Sequence, residues 1–146
     1  MTDLRELYQE TILDHYRQPR NFGRLEGANR MAEGYNPLCG DKVTLYLRVE
    51  EGVIRDARFE GTGCAIATAS ASLMTESIKG KREDEVLHLL ENIRGMVTGG
   101  TKTGDVGKLQ VLAGVHEFPE RVKCATLAWH TMKAALENVD KPVTTE

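Results

Sequence analysis

The sequence predicts an α+β domain in which a small antiparallel sheet combines with several helices. Apolar and polar residues alternate with a period of two over residues 43–49 and, after a turn, over residues 53–61, as in a half-buried β-hairpin. On both sides of this hairpin, apolar residues recur at helical spacing. The chain has 146 residues, of which 40% are hydrophobic, which is enough for one core. We therefore expect a single domain over residues 1–140.

The first predicted element is an amphipathic helix over residues 3–17. Asp3 and Glu6 have the spacing of a capping box, and Pro19 ends the helical pattern. An edge strand near residues 26–35 is only weakly indicated, so the sheet is expected to contain about three strands.

The hairpin is the clearest element of the sequence. Its buried face is expected to consist of the apolar members of the alternation: Val43, Leu45, Leu47 and Val49 in one strand, and Val53, Ala57 and Phe59 in the next. Glu51 and Gly52 between the two strands predict a tight turn.

Three helices are predicted after the hairpin. The first covers residues 65–79 and ends at Gly80, and the second begins with the acidic residues 83–85. A glycine-rich loop at 98–104 and a short apolar segment at 109–115 follow it. The third helix begins at Pro119, which suits a first helical turn. Residues 141–146 are expected to form a disordered tail, because they offer little apolar surface to bury.

Composition excludes several classes of function. The formal net charge is -3 and only 5% of the residues are aromatic, so nucleic-acid binding is not expected. No stretch approaches the roughly 20 apolar residues of a membrane span, and no secretory signal is recognised, so we expect a cytoplasmic protein without membrane partners. Three cysteines cannot close into disulfides alone, which in a reducing compartment favours metal-binding or catalytic use.

Four residues at the edges of predicted elements suggest a metal site: Cys39, Asp41, Cys64 and Cys124. Cys64 directly precedes a helix and Cys124 lies in the first turns of another, so two helix N-termini are expected to stabilise their thiolates. Gly40 separates Cys39 from Asp41 and allows both side chains to reach one ion. Three thiolates and one carboxylate fill a tetrahedral shell that suits zinc or an iron centre.

Simpler interpretations compete with this one. Free cysteine is among the most often buried residue types, so the three cysteines need not be related. Asp41 alone would equally suit an Asx turn before a strand. If the shell does form, its oxygen donor or a neighbouring thiolate leaves an exchangeable position, which a purely structural zinc module would not need.

Other side chains are weaker candidates. His116 is the histidine nearest to Cys124 in sequence and is a candidate ligand, while His15 is a candidate for a supporting hydrogen bond. Arg121, one helical turn before Cys124, would place a cation beside the thiolates, although a solvent-facing arginine is the simpler interpretation.

Four segments carry a resemblance to a known family: LDHYR at 13–17 with PRN at 19–21, NPLCGD at 36–41, GTGCA at 61–65 continuing to Ser72, and Lys123-Cys124. Over roughly residues 4–137 the chain resembles the U-type iron-sulfur cluster assembly proteins, the family of IscU, SufU and the N-terminal domain of NifU. The resemblance implies a SufE/NifU-like fold, in which helices cover one face of a small antiparallel sheet. It also implies a metal site formed by Cys39, Asp41, Cys64 and Cys124.

Two departures make the chain most similar to the SufU-type branch. IscU-type scaffolds have histidine directly before the last cysteine and a Leu-Pro-Pro-Val-Lys motif upstream, whereas here Lys123 precedes Cys124 and the upstream run is FPERV. The long segment before Pro119 is similar to the insertion that marks SufU-type proteins. The resemblance therefore implies a zinc-dependent sulfurtransferase that receives persulfide sulfur from a SufS-type cysteine desulfurase and passes it to downstream iron-sulfur assembly proteins.

In that hypothesis, docking of the desulfurase displaces Cys39 from zinc, and Cys39 then carries the sulfur. Asp41, Cys64 and Cys124 keep the metal, and Arg121 supports the displaced cysteine by analogy with the family. The alternative is a scaffold on which a [2Fe-2S] cluster is assembled and then transferred, with the same four residues as ligands. A zinc-stabilised structural module ranks last.

Overall fold

A computed structural model describes residues 10–99, 106–138 and 141–144 of the chain. The elements in chain order are helix α1 (Glu10–Arg17), strands β1 (Arg30–Asn36), β2 (Asp41–Glu50) and β3 (Val53–Thr62), helices α2 (Ala65–Ile78) and α3 (Glu83–Gly99), a 3-10 helix (Gly107–Glu117), helix α4 (Pro119–Leu136) and strand β4 (Val143–Thr144). The predicted α+β class is confirmed. Within the described ranges, no helix combines the length and the apolar character that a membrane crossing requires.

Two sequence predictions fall partly outside the described residues. The first helix, expected over residues 3–17, is described only from Glu10 onward. The glycine-rich loop expected at 98–104 contributes its first two residues to the end of α3, and its remaining residues lie outside the described ranges. The apolar segment that follows the loop forms the 3-10 helix.

The sheet has four strands in the order β3-β2-β1-β4. The pairs β1–β2 and β2–β3 are antiparallel, as predicted, so the weakly indicated edge strand is present. Strand β4 is an addition and lies within the tail whose expected state was disorder: Val143 and Thr144 pair in parallel with Gly34 and Tyr35. The half-buried Val143 packs against the core, so this part of the tail does have apolar surface to bury.

The β2–β3 hairpin differs from its prediction at one position. Glu51 and Gly52 form the expected turn, with φ angles of 53° and 76°, both in the left-handed region that such turns require. The buried face begins at Ile54 instead of Val53, because the register shifts at the start of β3. Arg48 pairs with Asp56, but the next residue of β2 pairs with Ile54, so β3 contains one extra residue between Asp56 and Ile54. On the N-terminal side of this extra residue, the buried and the exposed positions of β3 are exchanged.

Helices α2 and α4 cover one face of the sheet and also pack against each other, whereas α3 and the 3-10 helix pack on the outside of this layer. Gly34 of β1 lies directly under α4. A Cβ atom at this position would come within 2.0 Å of Thr131 Oγ1, so only glycine allows α4 to approach the strand this closely.

A buried polar link fixes α2 relative to α4. Trp129, the only tryptophan of the chain, is fully buried on α4, and its Nε1 donates to Ser70 Oγ of α2 at 3.2 Å. The Ser70 hydroxyl in turn donates to the carbonyl oxygen of Ala125 at 2.6 Å. Since Ala125 follows Cys124, this link holds the helix that carries Cys124 beside the helix that follows Cys64.

His15 ties α1 to two other elements. Its fully buried ring forms a hydrogen bond from Nδ1 to Ser72 Oγ of α2 at 2.7 Å, and its Nε2 lies 3.1 Å from Lys108 Nζ in the 3-10 helix. Because the Lys108 ammonium only donates, Nε2 accepts and Nδ1 carries the ring proton. Burial, with the cations of Arg20 and Lys108 nearby, holds the pKa of His15 below its usual value.

This environment predicts a pH-dependent contribution of His15 to stability. In the unfolded chain the imidazole has its ordinary pKa of about 6.5, so below that pH the unfolded state binds more protons than the folded state. The free energy of unfolding should therefore decrease as the pH falls from 7.5 to 5.5. In His15→Gln this decrease should be smaller, as measured by urea unfolding at both pH values with reductant and chelator present.

The matched control is His88→Gln, because His88 is exposed on α3. This variant should keep the pH dependence of the unmodified protein. An equal loss of stability between pH 7.5 and 5.5 in His15→Gln and in the unmodified protein would show that His15 does not contribute.

Candidate metal centre

The site lies where the β1–β2 turn meets the N-terminal regions of α2 and α4. Asp41 is the first residue of β2, and Cys39 precedes it in the turn. Gly40 between them has a φ angle of +73°, a conformation that residues with a side chain rarely adopt. The Cys39 and Cys124 sulfurs and a carboxylate oxygen of Asp41 all lie within 4.8 Å of one another.

Cys64 is the N-cap residue of α2, as the sequence predicts. Its sulfur accepts a hydrogen bond from the backbone N–H of Ala67 at 3.4 Å, and its own N–H donates to Asp41 Oδ1 at 2.9 Å. A hydrogen bond from the Cys124 thiol, together with the N–H groups at the start of the helix, lowers the pKa of Cys64 to about 6 against the opposing effect of burial. Cys64 is therefore prepared to carry a thiolate.

Cys124 has a different environment from the predicted one. It is fully buried in the second turn of α4, and its thiol lies 3.7 Å from the carbonyl oxygen of Glu120 instead of facing free N–H groups. Its hydrogen bond to the Cys64 sulfur, burial and the nearby Asp41 raise its pKa far above the usual range. The surroundings thus favour the protonated form at Cys124 and the thiolate form at Cys64.

Asp41 is fully buried, and both of its oxygens accept hydrogen bonds from other segments. Oδ1 accepts from Cys64, as described above, and Oδ2 accepts from Asn36 Nδ2 at 3.0 Å. These bonds connect Asp41 to α2 and to the end of β1, so its environment is not that of a simple Asx turn. Asn36 is the first residue of the NPLCGD segment, but a single asparagine before a proline carries no periodic signal that would predict its contact with Asp41.

The four residues differ in accessibility. Cys39 is exposed, Cys64 is partly buried, and Asp41 and Cys124 are fully buried. Leu38, which precedes Cys39, is 65% exposed, so this turn projects into the surroundings. An approaching molecule therefore meets Cys39 before any of the other three residues.

The remaining candidates lie around this cluster. Arg121 is half-buried on α4, one turn before Cys124, and Lys123 is exposed. His116 is exposed, and its Nδ1 donates to the carbonyl oxygen of Ala113 at 2.9 Å, so the described part of the chain places no histidine in the cluster. The hydrogen bonds of His15 are made to Ser72 and Lys108 instead of to the site.

The donor set fits zinc or an iron-thiolate centre. Three sulfurs and one carboxylate supply four donors, whereas calcium or magnesium would require mostly oxygen ligands. The donor atoms of Cys39, Asp41 and Cys124 are close enough for a single ion to contact. Cys64 lies outside this group of three, although its backbone N–H donates to Asp41 and its sulfur neighbours Cys124. A metal ion bound here would displace the thiol protons of its cysteine ligands.

Comparisons with known proteins identify relatives of this chain. Residues 7–144 match the sequence profile of the family described as NifU-like N terminal domain. The iron-sulfur cluster assembly scaffold protein IscU of Thermotoga maritima is 45% identical over 93% of this chain and 96% of its own length. The zinc-dependent sulfurtransferase SufU of Bacillus subtilis is 40% identical over 90% of each chain.

A solved structure shares the fold over nearly the whole chain. It comes from Fervidobacterium islandicum and is described as an iron-sulfur cluster assembly scaffold protein for the SUF system. The match has a TM-score of 0.85 and 38% identity, and it covers 92% of this chain and 99% of that protein.

The packing around Asp41 predicts the effect of a single methyl group. A Cβ atom at Gly63 would lie 2.7 Å from Asp41 Oδ1, so Gly63→Ala should displace the carboxylate from its hydrogen bonds. We expect zinc affinity to fall by about tenfold, the lower end of the effect of disturbing the support of a ligand. Competition with a chromophoric chelator measures this affinity.

The neighbouring variant Thr62→Ala serves as the control, because Thr62 is exposed and its substitution adds no atom near Asp41. This variant should bind zinc like the unmodified protein. Equal affinities of Gly63→Ala and Thr62→Ala would contradict the placement of Asp41 in the metal shell.

Proposed function

We propose that this chain, which belongs to the family of NifU-like N-terminal domains, acts in iron-sulfur cluster assembly as a zinc-dependent sulfurtransferase. In this role it accepts persulfide sulfur on Cys39 from a SufS-type cysteine desulfurase and passes the sulfur to downstream assembly proteins in the cytoplasm. The similarity to a relative named zinc-dependent sulfurtransferase SufU supports this proposal.

The observation that carries the proposal is the unequal accessibility of the four donor residues. Asp41 and Cys124 are buried, and Cys64 is attached to α2 and to Asp41 by hydrogen bonds. Cys39 lies in an exposed turn, so of the four donors it is the one that can move most readily toward a partner. A sulfur acceptor needs one reactive thiolate that a partner can reach, and Cys39 meets this requirement.

The proposed metal ligands are Cys39, Asp41, Cys64 and Cys124. Zinc held by these residues would keep the thiols deprotonated at neutral pH and would offset part of their negative charge. The surrounding N–H donors act in the same direction, since Ala67 donates to the Cys64 sulfur and Asn36 donates to Cys124 and Asp41.

The proposed transfer follows the chemistry of thiol–disulfide exchange. The Cys39 thiolate attacks the outer sulfur of the persulfide on the desulfurase and forms a new S–S bond. The S–S bond within the partner's persulfide breaks, and the partner's cysteine leaves as a thiolate. The sulfur is thereby passed on without an external oxidant or reductant. The pyridoxal phosphate that generates the persulfide belongs to the partner.

Arg121 is proposed to assist this step. It lies half-buried on α4, three positions before Cys124, and its guanidinium is always charged at physiological pH. A cation at this end of α4 would stabilise the thiolate of Cys39 after it leaves the shell.

A second candidate function is that of a scaffold on which a [2Fe-2S] cluster is assembled and then transferred. The same donors suit iron-sulfur ligation, and a relative that shares 45% identity carries the scaffold name. Lys123 takes the position where IscU-type scaffolds have histidine, so the imidazole of those scaffolds has no counterpart at this position.

The test compares the protein with Cys39→Ser by native mass spectrometry after anaerobic purification. Each is measured before and after incubation with a cysteine desulfurase and free cysteine. The unmodified protein should keep one zinc per chain and gain sulfur on Cys39, whereas Cys39→Ser should gain no sulfur because the accepting thiolate is absent. Circular dichroism should show that both proteins are folded.

Two outcomes would reject the sulfurtransferase proposal. Sulfur uptake by Cys39→Ser at the rate of the unmodified protein would exclude Cys39 as the acceptor. Loss of zinc together with the appearance of an iron-sulfide mass would move the protein to the scaffold class, and the purified sample would then be brown instead of colourless.

A further inference from the structure

We propose that Asn36 is a positioning residue that fixes Asp41 and Cys124 in the metal shell and so leaves Cys39 as the only ligand that exchanges. This inference rests on the proposed metal site and extends it to a residue outside the ligand set. Asn36 itself does not touch the metal in this proposal.

The placement of Asn36 is the first argument. It is the last residue of β1 and pairs with Asp41, the first residue of β2, across the turn that carries Cys39. Its side chain is fully buried between the end of the sheet and α4. From this position Nδ2 lies 3.0 Å from Asp41 Oδ2 and 3.5 Å from Cys124 Sγ.

The chemistry of the two neighbours defines the orientation of the amide. An ionised carboxylate only accepts hydrogen bonds, and a metal-bound thiolate does the same. The amide oxygen would repel both groups, whereas the –NH2 group offers two N–H donors. Asn36 can therefore donate to Asp41 and to Cys124 at once, and it joins ligands that come from the sheet and from α4.

The arrangement restricts the ligand that would otherwise be the loosest. A carboxylate oxygen is a harder donor than a thiolate and the obvious candidate to leave a zinc-thiolate shell. Here both oxygens of Asp41 are held, one by the N–H of Cys64 and the other by Asn36. Each oxygen keeps a second acceptor position, which remains available for an ion.

The consequence concerns the choice of the leaving ligand. Cys39 is exposed, and the turn that carries it projects from the surface, whereas Asp41 is buried and bonded at both oxygens. Without Asn36, Asp41 would lose one of its two supports and the shell would contain a second loose ligand. Asn36 thereby makes ligand exchange specific for Cys39.

The experiment compares Asn36→Leu with the unmodified protein in zinc and cobalt titrations. Leucine has the same branched outline at Cγ, although it is larger, and it donates no hydrogen bond. Zinc affinity should fall tenfold to a hundredfold, which is the typical effect of removing the hydrogen-bonding support of a ligand. The visible absorption of the cobalt-substituted variant should also change, because cobalt reports the arrangement of its ligands and not the stability of the fold.

The matched control is Asn29→Leu, which makes the same substitution at an asparagine away from the site. Asn29 donates to the carbonyl oxygen of Val49 at 2.7 Å and accepts from its N–H at 2.8 Å, so its side chain is also hydrogen-bonded, although the residue is exposed. This variant should keep the zinc affinity and the cobalt spectrum of the unmodified protein. If Asn36→Leu behaves like Asn29→Leu, the inference is overturned.

A second measurement needs no variant, in case Asn36→Leu does not fold. In nuclear magnetic resonance spectra of the unmodified protein, the side-chain amide signals of Asn36 should shift when zinc is added, and those of Asn29 should not. An unchanged Asn36 signal on zinc binding would overturn the inference. If the unmodified protein takes up no zinc or cobalt, the proposed metal function fails instead, so the two failures are distinguishable.

Discussion

The buried carboxylate of Asp41 is the constraint on which the rest of the site depends. A carboxylate without water is unfavourable by several kcal/mol unless hydrogen bonds or charges compensate for the lost hydration. Here one oxygen accepts from the N–H of Cys64 and the other from Asn36, and a metal ion at the neighbouring thiols would complete the compensation. Gly63 must lack a side chain for this arrangement to fit. The end of β1 and the start of α2 are thus both bonded to the buried Asp41 carboxylate.

The packing of the helices keeps Cys64 and Cys124 beside the Asp41 carboxylate. Ser70 and Trp129 join α2 to α4 through a buried hydrogen bond beside Ala125, and Gly34 allows α4 to lie close to β1. Close packing in such a core resists small displacements, so Cys64 and Cys124 keep their relative positions. Cys39 is outside this frame, in an exposed turn. The protein therefore combines a rigid set of donors with one accessible thiol.

Sequence patterns predicted the parts of this structure that depend on local interactions. The β2–β3 hairpin, the start of α4 at Pro119 and the cap formed by Cys64 all follow from periodicity or from turn and cap residues. The register shift that buries Ile54 and the pairing of Val143 with β1 arise from contacts between segments, which no single stretch reveals. The same holds for the site: the pKa of Cys124 is raised by Cys64, a residue far away in the sequence.

The two candidate functions place different demands on these contacts. A scaffold that releases a whole cluster must open all its ligands, including Asp41 and Cys124, which are fully buried. Breaking the hydrogen bonds of Asp41 would leave a buried acceptor without partners, at a cost of about 1–3 kcal/mol for each bond lost. A sulfur acceptor needs to free only Cys39, whose exposed position carries no such penalty. The distribution of burial among the donors therefore favours transfer through one cysteine over release of an assembled cluster.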